Sequence, residues 1–280
     1  MKITKKKSQE LLRFMQDIAY EAGEIILKYQ KKRQSLVIIE KGADGIASEA
    51  DQASEKFLIS AINEKFPSHL ILSEEDYSEN KIQKLKNKDK YIWVLDPLDG
   101  TNNFVNGIPI YGISIALVYN KKSIVGLVYN PLSGECFFAA ENQGAFLVDY
   151  RINPLKTFEL KSFPNEKSMN ECIFSPSPIY TKSNKFESQL STFNKNITGA
   201  RAVRRLGSAA LELCYVASGN FDAYWEQNLK PWDVAAAILI CEESGVIVSE
   251  YNGKRYTIGK DSIIAARSPL HDKILGKIKK

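Results

Sequence analysis

Apolar residues recur at steps of three and four from Leu11 to Tyr29, through Phe14, Met15, Ile18, Ala22, Ile25 and Ile26, which predicts an amphipathic helix. The period is lost over residues 31–50, KKRQSLVIIEKGADGIASEA, where Gly42 and Gly45 suggest a mobile connection. A second helix carries Phe57, Leu58, Ala61, Ile62 and Phe66 until Pro67 stops it. The middle of the chain then changes period. Leu70–Leu72, Tyr91–Leu95, Ile113–Tyr119, Ser123–Tyr129 and Glu135–Ala139 are short β-rich runs between turn residues, which predicts an antiparallel meander. The polar, Pro-containing stretch from Asp149 to Asn170 reads as a domain boundary, separating an α+β half, 1–150, from an α/β half, 151–280. In that second half, helical periods near 207–218 and 232–243 alternate with strands near 171–175, 221–226, 245–249 and 262–266. There is no internal repeat.

Composition adds little to this picture. The 280 residues are 44% apolar and 25% charged, values of an ordinary globular protein, with room for a large core. Part of the net charge of +5 sits in Lys2, Lys5, Lys6, Lys7, Lys277, Lys279 and Lys280, which read as solvated tails rather than a nucleic-acid patch. The four cysteines, Cys136, Cys172, Cys214 and Cys241, form no C-x-x-C pair and read as reduced core thiols. The basic start lacks a secretory h-region, and no apolar run nears the ~20 residues of a membrane span, so the expectation is a cytoplasmic protein without membrane contact.

The densest chemistry lies in residues 91–104, YIWVLDPLDGTNNF, where a strand runs into Asp96-Pro97-Leu98-Asp99-Gly100-Thr101. Two carboxylates three positions apart at a strand end suit a hard cation such as Mg²⁺, which takes oxygen ligands and retains water or substrate phosphate. Pro97 stiffens the turn, Gly100 admits close backbone approach, and the Gly100 and Thr101 amides could face an anion. The same residues also read as a plain type I turn. A haloacid-dehalogenase-type loop, Asp-x-Asp-Gly-Thr, would place its second aspartate one residue earlier. No Cys is followed six positions later by Arg, His69 and His271 lack a nucleophile context, and neither G-x-x-x-x-G-K-[ST] nor G-x-G-x-x-G occurs. Metal-activated water is the phosphatase chemistry left.

Three blocks in order, SEEDYSEN with Ser73-Glu74-Glu75, DPLDGTNNF, and KPWDVAAAILICEESG with Trp232-Asp233, resemble the inositol monophosphatase family of lithium-sensitive, metal-dependent phosphatases. The resemblance runs over nearly the whole chain and includes KFLISAINEKFPSH and RRLGSAALELCYVASGNFDAYWE. It implies a layered α/β/α/β/α sandwich of the inositol monophosphatase and fructose-1,6-bisphosphatase type, a homodimer, and two or three Mg²⁺ per site. By that resemblance Glu74, Asp96 and the Leu98 carbonyl hold one metal and Asp96, Asp99 and Asp233 a second, with a weaker third near Glu74. Glu74 and Thr101 would orient the attacking water, and Gly100 and Thr101 would hold the phosphate oxygens.

Glu226, seven residues before Asp233, matches a glutamate that hydrogen-bonds a substrate ring hydroxyl, and Ser208 in Gly207-Ser208-Ala209 lies on the substrate side. Lys41 and Asp51 match a lid lysine and a helix-start aspartate, though Asp51 also reads as a cap. Ser73 in place of a glycine, and Ala47-Ser48 in place of Val-Thr, depart from the family pattern. The implied substrate is a small phosphorylated polyol or sugar, inositol monophosphate first. Fructose 1,6-bisphosphate, a 3′-phosphoadenosine nucleotide, NADP 2′-phosphate and histidinol phosphate remain open on the same ligands. So does an RNA- or protein-binding role with incidental phosphatase activity, although no RNA motif is present.

Overall fold

The computed structural model describes residues 3–40, 46–75, 85, 89–161, 166–176 and 186–278. Helix α1 (Lys5–Gln30) buries Leu11, Phe14, Met15, Ile18, Ala22 and Ile26, the stripe the sequence predicts. It begins earlier than that stripe, because Thr4 caps it by accepting from the Lys7 amide at 3.3 Å. Lys5, Lys6 and Lys7 therefore stand in a helical first turn and not in a tail. Within the stretch that loses its period, β1 (Ile38–Glu40) and β2 (Ile46–Ser48) pair as an antiparallel ribbon. Lys41, Gly42 and Gly45 lie outside the described residues. Helix α2 (Glu49–Lys65) starts at a capping box in which the Ser48 hydroxyl accepts from the Ala50 amide and Asp51 accepts from the Ser48 amide. It ends before Pro67, with Phe66 as its C-cap.

Strands β3 (Leu70–Ser73), β4 (Ile92–Asp99), β5 (Gly112–Tyr119), β6 (Lys122–Tyr129), β7 (Glu135–Ala140), β8 (Ala145–Asp149) and β9 (Thr157–Glu159) form one sheet in that order. β3 is parallel to β4 and the other neighbours are antiparallel, so the meander extends two strands past its expected end. β9 draws part of the polar stretch 149–170 into this first sheet; its three residues are exposed and carry no buried pattern to read. Between β4 and β5 runs the short helix α3 (Thr101–Asn106).

The second sheet contains β10 (Ile173–Pro176), β11 (Ala202–Val203), β12 (Ala223–Gln227), β13 (Ile247–Ser249) and β14 (Ser262–Ala266), in the order β11-β10-β12-β14-β13. Helices α4 (Phe186–Ile197), α5 (Ala209–Ala217), α6 (Pro231–Glu243) and α7 (Leu270–Ile278) complete the described elements. α4 and α7 are absent from the periodicity reading, although each carries an apolar stripe as marked as that of α1.

Three apolar clusters define the layers. α1 and α2 cover one face of the first sheet, through Phe14, Leu58, Trp93 and Ile115. On its other face Val94, Val118 and Phe137 pack with Leu213 and Cys214 of α5 and Ile240 of α6, which in turn meet Tyr224 and Ile263 of the second sheet. Phe174, Trp225 and Ile264 face outward from that sheet against Leu270 and Ile274 of α7. The order is α/β/α/β/α. Helices on both faces leave all eight residues of β4 buried, which is why its first four, Ile92–Leu95, are a continuous apolar run instead of an alternating one. Each fully buried large aliphatic contributes about 1.5–3 kcal/mol to this assembly. α6 approaches so closely that a Cβ on Gly126 would lie 2.9 Å from the Ala236 carbonyl, so only glycine fits there.

Candidate active site

The site begins where β4 stops being a regular strand. Its pairing with β5 shifts register between Asp96 and Asp99, around Pro97, which has no amide to donate to a ladder. Ser54 of α2 donates to the Pro97 carbonyl at 2.9 Å and fixes the bulge from below. Gly100 then turns the chain at φ +95°, and a Cβ there would sit 3.0 Å from the Ile110 carbonyl and 3.3 Å from the Gly207 carbonyl. Thr101 opens α3.

Each of the three aspartates is held by a specific donor. Asp96 accepts from the Leu98 amide at 3.1 Å, and Asp99 accepts from the Ser208 hydroxyl at 2.6 Å and the Ala210 amide at 2.8 Å. Asp233, in the first turn of α6, accepts from the Lys230 amide at 2.7 Å. The Glu74 amide, just past β3, donates to the Leu95 carbonyl at 3.2 Å. Asp96, Asp99 and Asp233 are therefore carried by a strand end and a helix start that approach each other between the two sheets.

Burial pushes the Asp96 carboxyl well up from its ordinary range, and the charges of Glu74, Asp99 and Asp233 push it further. Burial raises Asp99 to about 7 against the opposing Ser208 and Ala210 hydrogen bonds, with Glu212 and Glu74 adding to the rise. Burial and then Asp99 raise Asp233. Such carboxylates either take up protons or pair with cations, and an all-oxygen set of this charge fits a hard divalent ion such as Mg²⁺. As the side chains stand, no three His, Cys, Asp or Glu groups among the described residues converge to ligating distance. Asp96, Asp99 and Asp233 each give one oxygen to a protein donor, and that contact orients the other oxygen.

Glu74, Asp96, Asp99 and Asp233 are near enough for their charges to act on one another, Ser208 joins them through Asp99, and Thr101, which follows Gly100 in the same turn, donates to the Leu98 carbonyl at 3.1 Å. Glu226, at the end of β12, is near enough for its charge to raise Asp233. Its carboxylate accepts from the Tyr224 hydroxyl and lies 3.4 Å from Arg205 Nη1.

Three neighbours were not singled out as site residues from the sequence. Asp51, which the resemblance matches to a helix-start aspartate and which also reads as a cap, is fully buried, and besides capping α2 it accepts from the Thr101 hydroxyl at 2.8 Å. Asn103 donates through Nδ2 to the Ile110 and Leu206 carbonyls, at 2.7 and 2.6 Å, and so ties α3 to the segment before α5. Arg205 had no signal beyond its place in an Arg-Arg pair.

Residues 7–280 match the model of the inositol monophosphatase family. Nus factor SuhB of Pasteurella multocida is 34% identical over 261 residues, which cover 93% of this chain and 92% of that protein. A crystal structure of the extragenic suppressor protein suhB from Bartonella henselae superposes with a TM-score of 0.84 at 29% identity, covering 97% of this chain and 99% of the other. A staphylococcal enzyme, SaIMPase-II with inositol monophosphate bound, superposes with a TM-score of 0.78 at 28% identity, covering 97% and 95%.

Proposed function

This chain belongs to the inositol monophosphatase family, and from that premise we propose that it hydrolyses a small polyol or sugar phosphate monoester, inositol monophosphate first, with two or three Mg²⁺ as cofactor. The observation that carries the reading is the meeting of buried Asp96 and Asp99 from β4 with Asp233 from α6, a charge set that favours divalent cations. Glu74, Asp96, the Leu98 carbonyl, Asp99 and Asp233 are the residues that would hold them. Mg²⁺ there would supply a strong oxygen nucleophile at neutral pH and neutralise the departing ester oxygen.

The chain's own groups do the positioning. Asp51, itself held by Ser48, accepts the Thr101 proton, which leaves the Thr101 oxygen turned to accept from a water. Glu74 is the second acceptor for that water, so its attack is aimed before it begins. The Gly100 and Thr101 amides face the non-bridging phosphate oxygens, donors already in place when charge develops. Ser208 and the Ala210 amide lock one Asp99 oxygen and thereby orient the other. Glu226 accepts from a ring hydroxyl of the substrate, and Tyr224 steadies it. The likeness to a solved enzyme with inositol monophosphate bound supports that choice of substrate.

Phosphate release from inositol 1-phosphate, fructose 1,6-bisphosphate, an adenosine bisphosphate, NADP and histidinol phosphate, with Mg²⁺ and with a chelator, tests the proposal. Chelator-sensitive turnover of a polyol phosphate is expected, with inhibition by millimolar Li⁺. Turnover that ignores the chelator would remove the metal site from the account.

Relatives bearing the name Nus factor SuhB favour a second reading, an RNA- or protein-binding role beside the hydrolysis. Salt-dependent RNA binding that persists in Asp99→Asn would support it, and absence of RNA binding at low salt would count against it.

A further inference from the structure

Ser208 is the N-cap of α5, the position from which a serine hydroxyl ordinarily accepts from a first-turn amide, yet it makes no capping bond. Its hydroxyl donates to Asp99 at 2.6 Å, and the Ala210 amide, one that such a cap would satisfy, donates to the same Asp99 oxygen at 2.8 Å. Asp99 of β4 therefore caps α5 in place of Ser208, from 109 positions away. How this candidate metal ligand is oriented depends on where the first turn of α5 stands.

That turn is fixed by Glu212, a buried residue of the same helix without a part in the chemistry described so far. The Glu212 amide donates to the Ser208 carbonyl at 2.9 Å, and its carboxylate reaches back past the cap to accept from the Leu206 amide at 2.8 Å. Ser175 of β10, fully buried, donates to the same carboxylate oxygen at 2.5 Å and ties it to the second sheet. From the other side Asn103 of α3 donates to the Leu206 carbonyl at 2.6 Å. Leu206 is thus held by its amide and by its carbonyl, and Gly207, at φ +81°, turns the chain from that clamp straight into Ser208. A buried acid is costly here, because its charge adds to the rise of Asp99. An apolar side chain at 212 would spare that cost but take away the acceptor of the Leu206 amide.

Resting on the phosphatase reading above, we propose that Glu212 is a positioning residue for the metal centre: it sets the first turn of α5 so that the Ser208 hydroxyl and the Ala210 amide bind one Asp99 oxygen and present the other to a divalent cation. Glu212 acts only through these two groups. With its carboxylate removed, the Leu206 amide loses its acceptor and the segment from 206 to 208 is held from the α3 side alone, so Ser208 no longer meets Asp99 in a fixed place. The loss then falls on the metal ligand and not on substrate recognition, and every substrate suffers it alike.

The test reads Mg²⁺ binding without substrate, from the rise of Tm with Mg²⁺ concentration, and hydrolysis of inositol 1-phosphate and p-nitrophenyl phosphate, in wild type, Glu212→Ala, Glu212→Gln, Ser208→Ala and the double alanine variant. Glu212→Ala is expected to weaken Mg²⁺ binding and to lower kcat/KM on both substrates alike, each by about tenfold. Glu212→Gln, whose amide oxygen can still accept from Leu206, should return both close to wild type. Ser208→Ala should cause a loss of the same kind, and the double variant should be no worse than the more damaged single one, since both residues act through one contact. Wild-type Mg²⁺ binding in a folded Glu212→Ala protein, or losses that multiply in the double variant, overturn the assignment of Glu212 and leave the phosphatase reading standing. A wild type that binds Mg²⁺ but hydrolyses neither substrate overturns the phosphatase reading, while the Mg²⁺ comparison still decides the role of Glu212; a wild type that does neither overturns both. If Glu212→Ala does not fold, Glu212→Asp, whose shorter side chain draws the carboxylate back from the Leu206 amide, carries the same comparison.

Discussion

The two regions that meet at the site are built in opposite ways. The segment from Asp96 to Thr101 is contiguous, with Asp96, Leu98, Asp99 and Thr101 buried, on a strand covered on both faces. The facing region draws Arg205 and Ser208, Glu226, and Asp233 from a loop, a strand end and a helix start, and it ranges from exposed to buried. Contiguity suits cation binding, since several oxygens must reach one point within narrow limits. Dispersal suits substrate recognition, where each contact can be exchanged without disturbing the others. Metal chemistry should therefore be intolerant of change on either side, and selectivity should vary with the dispersed side alone.

The largest effects test the shared metal set. Asp99→Asn and Asp233→Asn should each lower kcat/KM more than about a hundredfold on every substrate and raise the Mg²⁺ concentration needed for half-maximal rate. If Asp233→Asn kept activity within tenfold of wild type, the two regions would not share one centre.

Glu226→Gln separates the regions next. It should weaken turnover of inositol 1-phosphate by about 1.5–3 kcal/mol, the scale of a charge-assisted hydrogen bond, while p-nitrophenyl phosphate loses much less. Equal losses on both substrates would make Glu226 a support of the metal set and erase the contrast.

A pH series reads the buried acids directly. Without Mg²⁺, Asp99 has a folded-state pKa near 7 against an ordinary 3.8, so between those values the folded chain binds more protons than the unfolded one. Stability should then be full at low pH and fall as pH rises through about 7. A drop in Tm of several degrees from pH 5 to pH 8 is expected, smaller in Asp99→Asn, and Mg²⁺ should raise Tm more at pH 8 than at pH 5. An Asp99→Asn protein with the full wild-type loss would show that Asp99 is not the titrating group.

The smallest effect probes the segment before α5, which Asn103 ties to α3. Gly207 has φ +81°, and a Cβ there would lie 3.1 Å from Asn103 Nδ2, a side-chain atom and not backbone. Gly207→Ala should cost about 1 kcal/mol of stability by urea unfolding. Gly100→Ala faces a backbone carbonyl at 3.0 Å and should cost more, about 2 kcal/mol, with loss of activity. Equal costs at the two glycines would mean that the acidic loop is no more rigid than its partner.

What the sequence determined by itself follows from locality. The stripe of α1, the run of β4 and the turn Asp96-Pro97-Leu98-Asp99-Gly100 are each specified by residues a few positions apart, where period, proline and glycine act directly on the backbone. The ribbon of β1 and β2, and β8 and β9, escaped because each is short and is stabilised by what it pairs against, whereas the stripes of α4 and α7 were present in the sequence and went unread. The tertiary structure alone decided the partners. Asp51 reaches Thr101 across 50 positions and Ser208 reaches Asp99 across 109, and nothing in either local pattern encodes the other. The same holds for the pairing of Arg205 with Glu226, which lie 21 positions apart and meet only once the loop before α5 is set beside the end of β12.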